Sequence, residues 1–227
     1  MHQFLYGTFP YIALTILLVG SVVRYERDPY TWKSSSSQLL RRKQLILGSI
    51  LFHVGILIIF FGHLFGLLLP VEFYDALGVA HSFKQGLAAI GGGVAGVFAL
   101  LGGLLLAHRR LTDPRVKATS SFADTAIILV LIAQLLLGLG TVPLSLAHMD
   151  GHAMLNLMNW ANGIITFDSA AASYIVDVNI VFKLHIFLGL VIFILFPFTR
   201  LVHMLSAPVR YLWRPGYQIV RSRKTRV

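Results

Sequence analysis

The chain has 227 residues, 56% of them hydrophobic and only 12% charged, whereas a soluble domain carries about 25% charge. It contains no cysteine, which excludes disulfides, thiol nucleophiles, thiolate-held iron–sulfur clusters and the covalent attachment of haem through C-x-x-C-H. A formal charge of +10 would suit nucleic acid, but the basic residues stand beside apolar runs, which is the pattern of membrane topology.

Five apolar stretches are long enough to cross about 30 Å of hydrocarbon as helix. In chain order they are Phe9–Val23, Leu45–Leu69, Gly86–Ala107, Asp124–Leu146 and Val181–Ser206. The first is short and is expected to borrow turns from Phe4–Thr8. With no basic residue ahead of it and no small-residue cleavage site after it, it reads as a retained helix and not as a signal peptide. The predicted class is therefore an all-α integral membrane protein of five transmembrane helices, with a membrane domain over residues 1–206 and a basic cytoplasmic tail over 207–227 for partner docking.

All but two of the 19 lysines and arginines follow the first, third and fifth spans; Lys84 and Lys183 are the exceptions. Lysine and arginine resist translocation, so the amino terminus is expected outside and the carboxyl terminus in the cytoplasm. The outer segment from Ala147 to Ile180 is long for a connection. Met154, Leu157, Met158, Ala161, Ile164 and Ile165 recur there at helical spacing and predict a short helix on the outer surface. No loop is long enough for a soluble domain, so another chain must receive whatever this one exchanges with the cytoplasm.

Nine histidines occur, and four lie within spans: His53 and His63 in the second, His185 and His203 in the fifth. Ionisable groups inside a bilayer are costly and mark function by default, and neutral imidazole is a common haem ligand. The two spans run in opposite directions, so His63 pairs with His185 in the outer half and His53 with His203 in the inner half. On ideal helices the intervals differ, at about 15 Å and about 27 Å, and His53 and His63 point about 80° apart. Tilt and a kink at Pro197 are expected to absorb the mismatch. Two bis-histidine haems stacked across the membrane fit this pattern, because the pairs are too far apart to share one ion. Gly55, Gly62, Gly66 and Gly189 offer small surfaces beside the ligands, and arginines and lysines at the inner boundary offer partners for propionates. The competing readings are histidines that bond neighbouring helices or line a proton path.

Other signals are weaker. His2, His81, His108, His148 and His152 fall in loops or at interfaces and read as solvated, and Met204 reads as packing. Gly91, Gly93 and Gly96 match G-x-G-x-x-G, but no strand precedes them, and the motif is a false one. Gly92 and Gly96 stand at the spacing that lets helices approach closely. Gln134, polar within the fourth span, reads as an interhelical hydrogen bond. Lys84 reads equally as a snorkelling interface lysine or as a donor to a quinone carbonyl.

Four strings carry a family likeness: RYERDPYTWKSSSSQLLRRK after the first span, FHVGILIIFFGH on the second, RRLTDPRVKATS after the third and FKLHIFLGLVIFILFPFTRLVHMLSAPVRYL on the fifth. The chain resembles the gamma, or cytochrome b, subunit of membrane-bound respiratory nitrate reductase over nearly its whole length. The resemblance implies five transmembrane helices, two b-type haems and oxidation of a quinol, menaquinol or ubiquinol, near the outer face. By position, His63 and His185 would ligate the outer haem and His53 and His203 the inner one, with Lys84, Gly62 and His63 at the quinol site. It also implies an iron–sulfur beta subunit docked on the cytoplasmic face, a molybdenum-containing alpha subunit beyond it, and residence in a prokaryotic inner membrane. Two alternatives remain open here: a two-haem subunit serving a sulfur- or heterodisulfide-linked oxidoreductase, and a cofactor-free anchor using the histidines as a proton relay.

Overall fold

The computed structural model describes residues 1–33, 37 and 39–206, so the basic tail expected over 207–227 lies outside the described residues. The chain there is helical, without a strand among the described residues. In hydrocarbon no water satisfies the backbone, and a helix bonds its own amides internally. Five helices are long and apolar enough to span a membrane, at Phe4–Arg27, Arg42–Leu68, His81–Thr112, Phe122–Ala147 and Ile180–Phe198.

The first span opens with a π-helical turn over Phe4–Thr8 that runs into α1 (Phe9–Arg27), as its short apolar run required. The second is α2 (Arg42–Leu68), followed by the short α3 (Val71–Ala76). The third is α4 (His81–Thr112), and Asp113 then caps the short α5 (Pro114–Ala118) by accepting from the amides of Arg115 and Val116. The fourth is α6 (Phe122–Ala147), opened by a capping box in which Ser121 and Asp124 satisfy each other's amides. The expected surface helix is α7 (His152–Ile165), which starts after Gly151 at a φ of 82°. Of the residues whose spacing predicted it, Met158, Ala161 and Ile164 are buried and Ile165 is exposed. It packs against α2, α3, α4 and the turn Ala171–Ile175, and so forms a cap over helix ends.

The fifth span is broken. The last long helix, α8 (Ile180–Leu195), gives way to 3-10 turns at Phe196–Phe198 and Arg200–Ser206, separated by an extended Thr199. Pro197 lacks an N–H and its ring opposes the carbonyl one turn earlier, so the α-helix ends there. The expected single span Val181–Ser206 is thus two segments, and His203 sits on the second. Arg24 of α1 holds the break: its guanidinium donates to the carbonyls of Pro197 at 2.7 Å, Thr199 at 2.8 Å and Thr31 at 2.7 Å. Gly20 lets Pro197 in, since a Cβ there would stand 2.9 Å from its ring.

α2 lies along α4, α4 along α6, α6 along α8, and α8 along α1. The tightest seam joins α2 and α4, where a Cβ on Gly55 would stand 2.5 Å from the Ala95 carbonyl oxygen and one on Gly102 would stand 2.3 Å from the Phe52 amide. Of the glycines expected to tighten α4, Gly96 meets Leu139 of α6, but Gly92 faces open space. The close approach to α2 falls instead about one to three turns beyond Gly92, around Ala95, Ala99 and Gly102.

Candidate functional site: two histidine pairs and a buried lysine

The structure brings the four span histidines together in the pairs that depth predicted. The ring centres of His63 and His185 are 6.0 Å apart, with their planes at 44°. Those of His53 and His203 are 6.4 Å apart, at 69°. A metal held between two imidazole nitrogens at about 2.0 Å from each sets the ring centres about 6 Å apart. The pairs therefore have the separation at which two imidazoles could hold one metal, although α2 and α8 are joined mainly through α4 and α6.

Hydrogen bonding decides which ring nitrogen is left free. Nδ1 of His53 lies 2.8 Å from the Ser49 carbonyl, Nδ1 of His63 lies 2.8 Å from the Ile59 carbonyl, and Nδ1 of His203 meets the Arg200 carbonyl. A carbonyl partner fixes the proton on Nδ1 and leaves the lone pair of Nε2 for a metal. His185 is held differently. Gln134 of α6 donates to the His185 carbonyl at 3.0 Å, Gly138 leaves room for the ring, and Nδ1 of His185 is buried with no partner among the described residues.

The glycines divide by role. A Cβ on Gly62 or Gly66 would meet no atom within 4 Å, so open space adjoins the outer end of α2. Gly55 serves the α2–α4 seam, and Gly189 makes room for the Gln134 amide. The residues present therefore fit two bis-histidine haems: paired imidazoles at ligand separation, three of them with fixed tautomers, and open space beside the His63–His185 pair.

Lys84 lies in the first turn of α4 and is 7% exposed. Its ammonium sits 3.4 Å from the centre of the Tyr74 ring and donates to Sδ of Met158 at 2.8 Å. The snorkelling alternative is not what the structure shows, because the ammonium is covered by α3 and α7. Tyr74 donates in turn to the Phe65 carbonyl at 2.6 Å, and burial pushes its phenol above the ordinary value, keeping it a protonated donor. Tyr74, Gly138 and the contact of Met158 with Lys84 are what pattern reading missed, whereas Gln134 makes the interhelical hydrogen bond expected of it, with the His185 carbonyl as its partner.

At the inner boundary Asp124 pairs with Arg200 at 2.6 Å and with Arg110 at 3.6 Å, while Arg109, 2% exposed, holds Ser37 and Leu40. Of the histidines read as solvated, His2 bonds the Ala172 carbonyl, His81 pairs with Asp75 at 3.2 Å, and His108 meets Gln44 at 3.1 Å.

Comparison with known proteins shows the family. The family model described as nitrate reductase gamma subunit matches residues 2–223. The chain is 47% identical over 223 residues to the respiratory nitrate reductase 1 gamma chain of Escherichia coli, covering 98% of each. It is 48% identical to the respiratory nitrate reductase 2 gamma chain of the same organism, over 99% of this chain and 98% of that one. It is 39% identical to the nitrate reductase gamma chain of Bacillus subtilis, over 97% and 98% of the two chains. By whole-length match and by the resemblance already visible in its loops, the chain belongs to the nitrate reductase gamma subunit family.

Proposed function

We propose that this chain is the membrane cytochrome b subunit of a respiratory nitrate reductase in a prokaryotic inner membrane. It takes electrons from a quinol in the outer half of the bundle and delivers them to an iron–sulfur beta subunit on the cytoplasmic face, with nitrate reduced on a molybdenum-containing alpha subunit beyond it. The observation that carries the reading is the meeting of four histidines from two antiparallel segments as two imidazole pairs. Two haems b, when bound by His63 with His185 and by His53 with His203, supply one-electron carriers at two depths of the membrane.

The remaining work falls to the chain's own groups. Oxidation of a quinol to the quinone gives up two electrons and two protons. Lys84, whose ammonium meets only the Tyr74 ring and the Met158 thioether, would donate to a quinol oxygen, and the open space at Gly62 would admit the ring beside His63. With the amino terminus outside, as the charge distribution requires, the protons leave on the outer side. Carbonyl bonds to His53, His63 and His203 hold the imidazoles in the tautomer that binds a metal. The inner boundary, with Arg27, Arg41, Arg42, Arg115 and Lys117, presents positive charge to a docked partner.

Reduced-minus-oxidised spectra with pyridine haemochrome quantitation test the reading, and two haems b per chain are expected. His53→Ala or His203→Ala should remove the inner haem and leave the outer one. His63→Ala or His185→Ala should remove the outer haem and abolish quinol oxidation. Unchanged haem content in all four variants would falsify the ligand assignment.

A further inference from the structure

Lys84 is almost entirely buried, yet no acidic side chain pairs with it among the described residues. Its partners are the face of Tyr74 and the thioether of Met158. An aromatic face attracts a cation through its quadrupole and a thioether is a weak acceptor, so neither neutralises the ammonium nor competes strongly for its three N–H donors. A carboxylate in the same place would do both.

Both partners are anchored to one place. The Tyr74 hydroxyl donates to the carbonyl of Phe65, and Asn162, one turn after Met158 on α7, donates to the carbonyl of Leu67 at 3.0 Å. Phe65 and Leu67 belong to the last turn of α2, whose carbonyls have no partner within the helix. That turn follows directly on His63. The position of the Lys84 ammonium relative to His63 is therefore set through Tyr74 and Met158, and not by the lysine's own flexible stem.

We propose that Tyr74 is a positioning residue for quinol: its ring face holds the Lys84 ammonium desolvated but still able to donate, and its hydroxyl ties that ring to the end of α2 that carries His63. The proposal rests on the quinol-site reading above. A quinol oxygen entering beside Gly62 then meets a donor already desolvated, with only weak contacts to replace.

The test uses the intact complex and steady-state oxidation of a short-chain quinol by wild type, Tyr74→Leu, Tyr74→Phe and Lys84→Ala, with haem content measured in each. Tyr74→Leu removes ring and hydroxyl and is expected to raise KM about tenfold, with kcat changed less than about twofold and both haems retained. Tyr74→Phe keeps the ring and loses the tie, so its KM should rise by about threefold and lie between wild type and Tyr74→Leu. Wild-type KM in Tyr74→Leu, or a KM rise matched by haem loss, overturns the proposal. Should Tyr74→Leu fail to assemble, Tyr74→Phe decides: wild-type KM there overturns the proposal, and a raised KM with full haem supports it. Wild-type turnover in Lys84→Ala overturns the underlying site reading instead, which keeps the two failures apart.

Discussion

His53, His63 and His203 each face a carbonyl of their own segment, one turn or three residues back, with Nδ1. Their tautomer is therefore settled locally, and changes elsewhere leave it alone. His185 depends on its neighbours, because its carbonyl is held by Gln134 and its ring rests in the space left by Gly138. A Cβ at position 138 would stand 2.9 Å from Cε1 of His185, a separation that real Cβ atoms do not show, so the ring must turn or move. Gly138→Ala is accordingly expected to perturb or empty the outer haem site and to leave the inner one filled. Paramagnetic resonance of the oxidised complex resolves the two: a normal outer signal in Gly138→Ala would mean that the ring is not held by this contact. Gln134→Ala keeps the space but drops a hydrogen bond to the ligand's backbone, worth about 1 kcal/mol. It should retain both haems and shift only the outer midpoint potential, as redox titration would show.

Among the elements, the broken fifth span departs most from what the sequence allowed one to foresee. Leu201, Val202, Met204 and Leu205 carry apolar character past Pro197, so the sequence reads on through the break and an ideal helix gave His185 and His203 a common face over about 27 Å. The proline did forecast a bend, but nothing in the pattern announced that Arg24, over 170 residues away, would receive the freed carbonyls. Hydrogen bonds to a charged group contribute about 1.5–3 kcal/mol each, and Arg24→Ala strands the carbonyls of Pro197 and Thr199 beside α1. The segment carrying His203 should then lose its place, with the inner haem lost and the outer haem retained in difference spectra; two intact haems would show that the buried Leu201 and Val202 suffice to hold it. By contrast α7 was legible, because an amphipathic spacing of buried residues is a local signal. Both histidine pairs were legible for a similar reason: depth along antiparallel spans needs only the order of the spans. Tyr74 over Lys84 was not, since that contact joins α3, α4 and α7 without any periodic trace. At the short α5, burial would raise the Asp113 carboxyl, but the amides of Val116 and Arg115 and the charges of Arg115 and Arg41 outweigh it and hold it below the usual carboxylate range. A carboxyl lowered by folding adds stability above its unfolded value and loses it as pH falls through the folded one. The Asp113–Arg41 tie, 3.1 Å long, should thus persist across neutral pH and fail only in strong acid. Amide exchange at residues 39–41 should show this, with Asp113→Asn releasing the segment at every pH.

At the level of the whole molecule, two asymmetries have to agree, one in packing and one in charge. The packing asymmetry is the α2–α4 seam, where backbone meets backbone around Gly55 and Gly102 while Gly62 and Gly66 look onto open space. One side of α2 is thus committed to a neighbour, and another face carries its histidines toward α8. Gly102→Ala would drive a methyl to 2.3 Å from the Phe52 amide, with no flexible side chain to yield, and is expected to abolish recovery of folded, haem-bearing complex; Gly66→Ala, in open space, should be recovered normally. The charge asymmetry would set the direction of the proposed chemistry. On the proposed topology, with basic loops in the cytoplasm and Lys84 toward the outer face, electrons would leave the quinol outside and travel inward while its protons would be released outside. Carrying one charge across the full membrane against an inside-negative potential costs about 2.3 kcal/mol per 100 mV, so the redox drop must supply that work and turnover must feel the field. In vesicles that expose the quinol side outward, the complex is expected to acidify the outer medium as quinol is consumed, to slow when an inside-negative potential is imposed, and to recover when a protonophore collapses it. Protons appearing in the lumen instead, or turnover indifferent to potential, would place the quinol site on the other side of the bilayer from Lys84 and reverse the topology argued from the charges.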